Sequence, residues 1–385
     1  MRILHTADWH LGKSLRGYSL LEDQCFILDE FLHLVDDAKP QAVVIAGDIY
    51  DRGIPPSDAV LLLSEVLTKI VLERKIMTFA IAGNHDSASR LSFGGEILAQ
   101  AGLIMSGVLD MYAPPVIVND EFGQVAFTLL PYFEPGAVDN MLRLDADAAT
   151  AKVTAAARNR VPQNCRSVAV AHLFAAGGVT SESERPLNVG GASNVAPTHF
   201  AAFNYTALGH LHAPQRAGAD NIRYSGSPLK YSFDEATQKK GAVLVELSGD
   251  GTAKTEEMPL RAKRDVRVIE GYMDEIRRDR ERYPVSDDYI LVRLLDKTAI
   301  LSAYDKLAEV YSHLGGIEFC GLTYEQNMSE ASQQRENISE TDLFADFYYE
   351  MTGEGLNEKQ EQIVAECVQE IYRAEREENN ATVDA

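Results

Sequence analysis

Seven side chains with metal-ligand chemistry stand in short clusters along the chain: Asp8, His10, Asp48, Asn84, His172, His210 and His212. The clusters read DWH at 8–10, GD at 47–48, GNHD at 83–86, a lone His172, and GHLH at 209–212. Carboxylate, amide and imidazole in this mixture suit two divalent transition metals. A shared carboxylate, most simply Asp48, would bridge ions roughly 3.5–4 Å apart, the spacing of two-metal hydrolases. A hydroxide between two such ions forms near neutral pH and can attack a phosphorus in line while the ions neutralise charge on the phosphate oxygens. The leaving oxygen then needs a proton. His85, beside Asn84 but not required as a ligand, is the natural general acid because an imidazole titrates near neutrality.

Asp and His are costly to bury unless something pairs with them, so these residues make sense only if the fold brings them together. Each cluster follows a short apolar run: 2–6, 42–46 (AVVIA), 77–82 (MTFAIA), 167–171 (SVAVA) and 205–208 (YTAL). A further run at 125–130 (VAFTLL) carries no cluster. Up to about residue 240 these β-branched runs alternate with helical patterns, which predicts an α/β protein built on layered sheet. Ligands of such sheets bind at the carboxyl ends of the strands, where all five clusters fall. Glycines before Asp48, Asn84 and His210 permit tight turns there. Between strands, segment 57–72 places Val60, Leu63, Leu67 and Ile70 at helical spacing, with Ser57 as the expected N-cap.

The pattern changes after Lys239. Strands predicted at 266–270, 289–294 and 317–322, with helix-like stretches between them, make a small second α/β unit. Two amphipathic helices follow. One spans 341–351 and aligns Phe344, Phe347, Tyr348 and Met351 behind a capping-box-like pair, Ser339 and Asp342. The other spans 358–377 and aligns Val364, Cys367, Val368, Ile371 and Tyr372.

The formal net charge is −22, from 36 basic and 58 acidic residues, which argues against broad nonspecific attraction to nucleic acid. It does not exclude a nucleic-acid enzyme, because residues 325–385 hold 16 acidic and 4 basic side chains and therefore more than half of the excess. Cys25, Cys165, Cys320 and Cys367 are far apart and fit reduced thiols. There is no signal-peptide core and no run of membrane-spanning length, so a cytoplasmic protein without a membrane partner is expected.

DWH, GDIYD, GNHD, His172, GHLH and GSPLKYSFDE (226–235) together resemble the calcineurin-like binuclear metallophosphoesterases. HTADWHLG, GDIYDRGIPPS and GSPLKYSFDE narrow the likeness to the SbcD-type nuclease subunits of SbcCD complexes, kin of the double-strand-break repair nucleases. The resemblance covers residues 1 to about 240 strongly and the remainder in layout. It implies a layered β-sheet metallophosphoesterase sandwich with a smaller α/β capping domain and C-terminal helices. The corresponding segments are a nuclease domain over 1–240, a capping domain over 260–325 and a helical partner-binding segment over 340–385.

By the same resemblance, Asp8, His10, Asp48 and His212 hold one ion and Asp48, Asn84, His172 and His210 the other, manganese being the usual metal. His85 matches the catalytic histidine, with Asp86 orienting its ring. Asp51 stands where archaeal and eukaryotic relatives commonly carry a second histidine. Asp51, Ser227 and Tyr231 are candidate substrate contacts. The implied activity is manganese-dependent double-strand exonuclease and endonuclease action on DNA. The implied partner is an SbcC-type ATPase, bound through the C-terminal helices of a homodimer within a heterotetramer. Segments 57–72 and 91–98 are candidates for the dimer face. A phosphomonoesterase or cyclic-nucleotide phosphodiesterase using the same site is the alternative, and a non-catalytic scaffold is disfavoured because every ligand is present.

Overall fold

In a computed structural model, residues 1–138, 144–184, 194–298, 300–321, 339–352 and 355–368 are described, and the chain divides into two units, Met1–Arg267 and Val268–Ala385. The first unit opens with β1 (Arg2–Thr6), β2 (Ser14–Leu15), β3 (Tyr18–Ser19), α1 (Leu21–Ala38), β4 (Ala42–Ile45), α2 (Ser57–Thr68) and β5 (Met77–Ile81). Next come α3 (Ala88–Leu91), α4 (Gly95–Ala101), β6 (Leu103–Ser106), β7 (Val116–Asp120), β8 (Gly123–Leu130), α5 (Ala146–Arg158) and β9 (Arg166–His172). It closes with β10 (Tyr205–Gly209), β11 (Gln215–Ala217), β12 (Ala219–Tyr224), β13 (Gly241–Leu247) and β14 (Ala253–Pro259).

These strands form two six-stranded sheets, ordered β14-β13-β1-β4-β5-β6 and β11-β12-β10-β9-β8-β7. In the first, β1, β4, β5 and β6 run parallel, β13 pairs antiparallel with β1, and β14 antiparallel with β13. In the second, β8, β9, β10 and β12 are the parallel strands. Parallel strands buried on both faces read as unbroken apolar runs, which is why 42–46 and 167–171 stand out in the sequence.

The sheets pack face to face. Ile3, Val44, Phe79 and Val243 of one meet Phe127, Val168, Val170 and Tyr205 of the other in a single buried cluster. The Phe79 and Phe127 rings stack 4.1 Å apart at an interplanar angle of 9°. A second cluster joins Val153 and Ala157 of α5 to Ala169, Leu208 and Ile222 of the second sheet. This is the sandwich expected from the sequence, with one refinement: the five strands that carry clusters belong to two sheets, three to one and two to the other.

Other expectations change in detail. Ser57 is the first helical residue of α2, and Pro56 occupies the N-cap position with no side-chain cap, because proline's fixed φ is already suited to the helix entry. The helix continues through a wider π-helical turn, Lys69–Glu73. The first unit runs past residue 240, because β13 inserts beside β1 and β14 beside β13.

The second unit takes up the three-stranded sheet β15-β16-β17, where β15 is Val266–Gly271, β16 is Tyr289–Leu294 and β17 is His313–Phe319. Its core gathers Ile276 from α6 (Met273–Arg278), Leu307 from α7 (Ala303–Ala308) and Ile290, Val292 and Leu314 from the strands. β17 begins earlier than the sequence suggests. The strand passes straight through two glycines, where the pairing with β16 shifts register beside Gly316. The first tail helix is α8 (Glu340–Thr352), and the Asp342 amide donates to Ser339 Oγ at 3.2 Å as a cap should. The second is helical over 358–368, and the rest of its expected span, with Ile371 and Tyr372, lies outside the described residues. Among the described residues no helix is long and apolar enough to cross a membrane.

Candidate metal centre

The loops that leave β1, β4, β5, β9 and β10 converge at the carboxyl end of the sandwich. Pairing persists beyond the strands: the Asp8 amide donates to Gly47 O at 3.0 Å and the His10 amide to Asp48 O at 2.9 Å. Backbone here is strained. Asp8 (φ 55°), His10 (φ 44°), Asp48 (φ 48°) and His210 (φ 108°) all adopt the positive-φ region that residues other than glycine seldom visit. Gly47 turns the chain at φ 92°, while Gly83 and Gly209 are needed for space. A Cβ on Gly83 would lie 2.1 Å from Asp48 Oδ1, and one on Gly209 would lie 1.9 Å from Ala46 O.

All seven candidate ligands meet. Asp8, His10 and His212 form one buried group whose ligand atoms lie within 4.8 Å of one another, and Asp48, His172 and His210 form another. Asn84 Oδ1 lies 3.0 Å from His172 Nε2 and 3.2 Å from His210 Nδ1, completing the second group. Asp48 Oδ2 lies between the groups, 3.6 Å from His10 Nε2 and 3.4 Å from His172 Nε2. His10 Nε2 faces His212 Nε2 at 3.1 Å, and among the described residues buried His10 Nδ1 has no hydrogen-bond partner. Imidazole nitrogens and carboxylate oxygens aimed at common points, with so few protons between them, are a donor set that fits divalent cations.

Two rings have their free nitrogen fixed by a backbone carbonyl. His172 Nδ1 donates to Ala46 O at 2.9 Å, and His85 Nδ1 to Asp51 O at 2.8 Å, so each turns Nε2 toward the centre. The charges push one another apart. Burial, with Asp48 adding to it, holds the Asp8 carboxyl well above its usual range, and the two together bring Asp86 to about 7. Burial opposes the charge of Asp48, yet His172 and His10 hold that carboxyl well below its ordinary value. Burial works against protonated His172 as well, but Asp48 and Asp8 raise it to about 9. Burial, then His172, lowers His210 to about 3. Groups of one kind driven to opposite extremes in one cleft mark a functional site.

Three of the expected residues are held by neighbours that the sequence does not predict. Asp86, expected to orient the His85 ring, bears on the backbone. Its carboxylate accepts the amides of Ile49 at 3.0 Å, Tyr50 at 2.9 Å and Gly83 at 2.9 Å, bracing the loop after β4 against the loop after β5. Ser227 is fully buried, and its hydroxyl donates its one proton to Leu229 O at 2.7 Å while accepting from Lys240 at 2.9 Å. Tyr231 is also buried: its hydroxyl donates to Trp9 O, and its ring packs edge-on against His10 at 5.4 Å and His212 at 5.6 Å. Asp51, by contrast, joins His10 and His85 in a third ligand group at the more open rim, where Lys13 Nζ donates to it at 2.9 Å.

Several supporting residues escaped the sequence reading. Gln24 of α1 donates to His10 O at 2.7 Å and accepts the Gly12 amide at 2.9 Å, clamping the loop after β1. A polar residue on the buried stripe of that helix, in line with Ile27, Phe31 and Val35, was the available signal. Glu235 and Lys240 lie 2.5 Å apart, both buried. Burial opposes the Glu235 charge, but His212 and Lys240 hold the carboxyl well down.

Residues 1–140 match the calcineurin-like phosphoesterase family, and residues 262–352 match the Type 5 capsule protein repressor C-terminal domain, SbcD_C. A protein of Staphylococcus epidermidis named as the SbcD component of the nuclease SbcCD is 32% identical over 94% of this chain and 96% of its own length. One of the same name from Staphylococcus saprophyticus is 32% identical over 94% and 96%. Likeness of that order along nearly the whole of both chains means that this chain belongs to the family of SbcD subunits within the calcineurin-like phosphoesterases.

Proposed function

We propose that the protein is the nuclease subunit of an SbcCD-type complex, hydrolysing DNA phosphodiesters with two divalent ions, manganese as is usual in the family, as a double-strand exonuclease and endonuclease. The observation that carries this reading is Asp48, whose Oδ2 lies 3.6 Å from His10 Nε2 and 3.4 Å from His172 Nε2, within reach of both ligand groups. Asp8, His10, Asp48 and His212 would hold one ion, and Asp48, Asn84, His172 and His210 the other. When bound, such a pair activates a water for in-line attack and neutralises charge on the phosphate oxygens.

The chain supplies the remaining steps. His85 in its protonated form donates from Nε2 to the leaving oxygen, and the Asp51 carbonyl, 2.8 Å from Nδ1, keeps the ring aimed throughout. The Asp86 carboxylate ties the two loops that carry Asp48 and His85. His85→Ala should keep both manganese ions in a titration yet cut cleavage of double-stranded DNA by about 10²–10⁴-fold. Asp48→Ala should lose metal and activity together. Parent-like cleavage by His85→Ala ends the assignment of the acid.

The partner proposed for the tail is the SbcC-type ATPase. What supports it is the exposure of Phe344 and Phe347 on α8 and of Ile363 on the following helix, apolar side chains that a short helix pair cannot bury alone. Deleting residues 340–385 should abolish that complex and spare manganese-dependent cleavage of short single strands. For the homodimer, the support is an apolar groove between α2 and α4 beside exposed Phe93 and Ile97. Sedimentation of the parent against Phe93→Glu checks it.

A further inference from the structure

We infer that Ser183 and Glu235 are positioning residues for His212: a hydrogen-bond relay from the ring through the Ser183 hydroxyl to the buried Glu235 carboxylate fixes which ring nitrogen carries the proton. The inference rests on the metal reading above, in which His212 is a ligand.

His212 Nδ1 lies 2.6 Å from Ser183 Oγ and 3.2 Å from Glu235 Oε1, and Ser183 Oγ bonds to the same carboxylate oxygen. An ionised carboxylate has no proton to give, so the hydroxyl donates to it. The hydroxyl oxygen is then the acceptor for the ring, and Nδ1 must be the protonated nitrogen. Nε2 is left with its lone pair facing His10 Nε2, 3.1 Å away. The carboxylate is held from every side. Lys240 Nζ lies 2.5 Å from Glu235 Oε2, Ser232 Oγ, which also bonds to Asp234, lies 3.0 Å from Oε1, and the Tyr231 amide donates to Oε2 at 3.2 Å.

The rest of His212 belongs to the same network. Glu184 Oε1 accepts its amide at 2.6 Å, and Lys240 donates to its carbonyl at 2.8 Å. Two charges buried together seldom add stability over apolar packing, so a network of this size calls for a task beyond packing. His172 and His85 have their tautomers set by backbone carbonyls, which no substitution can delete. His212 depends on side chains from two separate loops, so its aim is open to change by mutation.

Ser183→Ala in the full-length protein is the direct test, since it leaves the Glu235–Lys240 pair intact, and Glu235→Gln is the stronger variant. Imidazole 15N spectra of metal-free protein read the tautomer, and calorimetric titration with manganese alone reads each site. The parent should show His212 as a single Nδ1–H tautomer. Ser183→Ala should mix the tautomers and weaken one of the two manganese sites by about 10–100-fold, leaving the other unchanged. Ser183→Thr, which keeps the hydroxyl, should restore both. A Ser183→Ala protein with the parent's tautomer and both parent affinities overturns the inference, as does equal loss at both sites. A parent that takes up no manganese refutes the metal reading instead, and the tautomer in metal-free protein still decides the relay by the same comparison.

Discussion

Asp120 at one end of the sandwich and the Asp8 and Asp48 pair at the other are buried in opposite ways. At the end away from the candidate site, Asp120 is buried between the Met1 ammonium, 2.8 Å away, and the Arg166 guanidinium, whose Nη1 donates at 3.0 Å. Burial opposes its charge, but Arg166 and the ammonium hold the carboxyl far below its usual range. At the other end, Asp8 and Asp48 are buried with no lysine or arginine bonded to either among the described residues, and their company is imidazole. Asp120 is neutralised from within the chain, as is Glu235 behind His212 by Lys240. Asp8 and Asp48 go without that neutralisation, which is what a site for external cations requires.

The comparison can be broken from the strongest effect downward. Gly83→Ala would drive a methyl group into Asp48 Oδ1, 2.1 Å from the ideal Cβ position, so manganese uptake and nuclease activity should both fall to background. A variant that still binds two ions would show that Asp48 tolerates displacement. Next, Asp120→Asn breaks a buried ion pair and should cost about 3 kcal/mol in urea unfolding while leaving manganese affinity unchanged. Asp8→Asn should do the reverse. It relieves a carboxyl that burial disfavours, raising the melting temperature of metal-free protein by about 2–4 °C, while one manganese site is lost. If both substitutions destabilise equally, the contrast between the ends is wrong.

The smallest effect concerns acid. His5 is buried between the Tyr205 hydroxyl at 2.9 Å and Leu208 O at 3.2 Å, and burial lowers it from 6.5 to about 3. Between those values the unfolded chain takes up a proton that the native ring refuses, so stability falls as pH falls, by at most about 1.4 kcal/mol per pH unit. The Asp120 carboxyl is shifted in the same direction, but its contribution is complete above 3.8 and is lost only below it. Unfolding in urea at pH 7, 6 and 5 should therefore show a shallower slope for His5→Gln than for the parent, and matching slopes would remove His5 as the cause.

How much could be read in advance follows from the same physics. β1 and β16 run from the residue to the residue expected, because an apolar run flanked by polar residues leaves few registers open. The seven candidate ligands drew notice because each cluster follows such a run. β14 was not, since an edge strand with the sequence AKTEEMP is half in water and carries little apolar signal. Glu235 lay in plain view within GSPLKYSFDE, but nothing in a one-dimensional pattern links it to Ser183 and His212 across a fold. Asp86 shows the same limit: adjacency to His85 suggested the ring, and nothing in the pattern pointed to the three amides from two loops that its carboxylate accepts.

The division of the site between two sheets has a mechanical consequence. The first sheet and its loops supply Asp8, His10, Asp48 and Asn84, and the second supplies His172, His210 and His212. On the proposed assignment each ion draws ligands from both, so each acts as a rivet through the sandwich. Chelation would then loosen sliding of one sheet over the other, well away from any single loop, and metal would enter as one of the last fastenings of the fold.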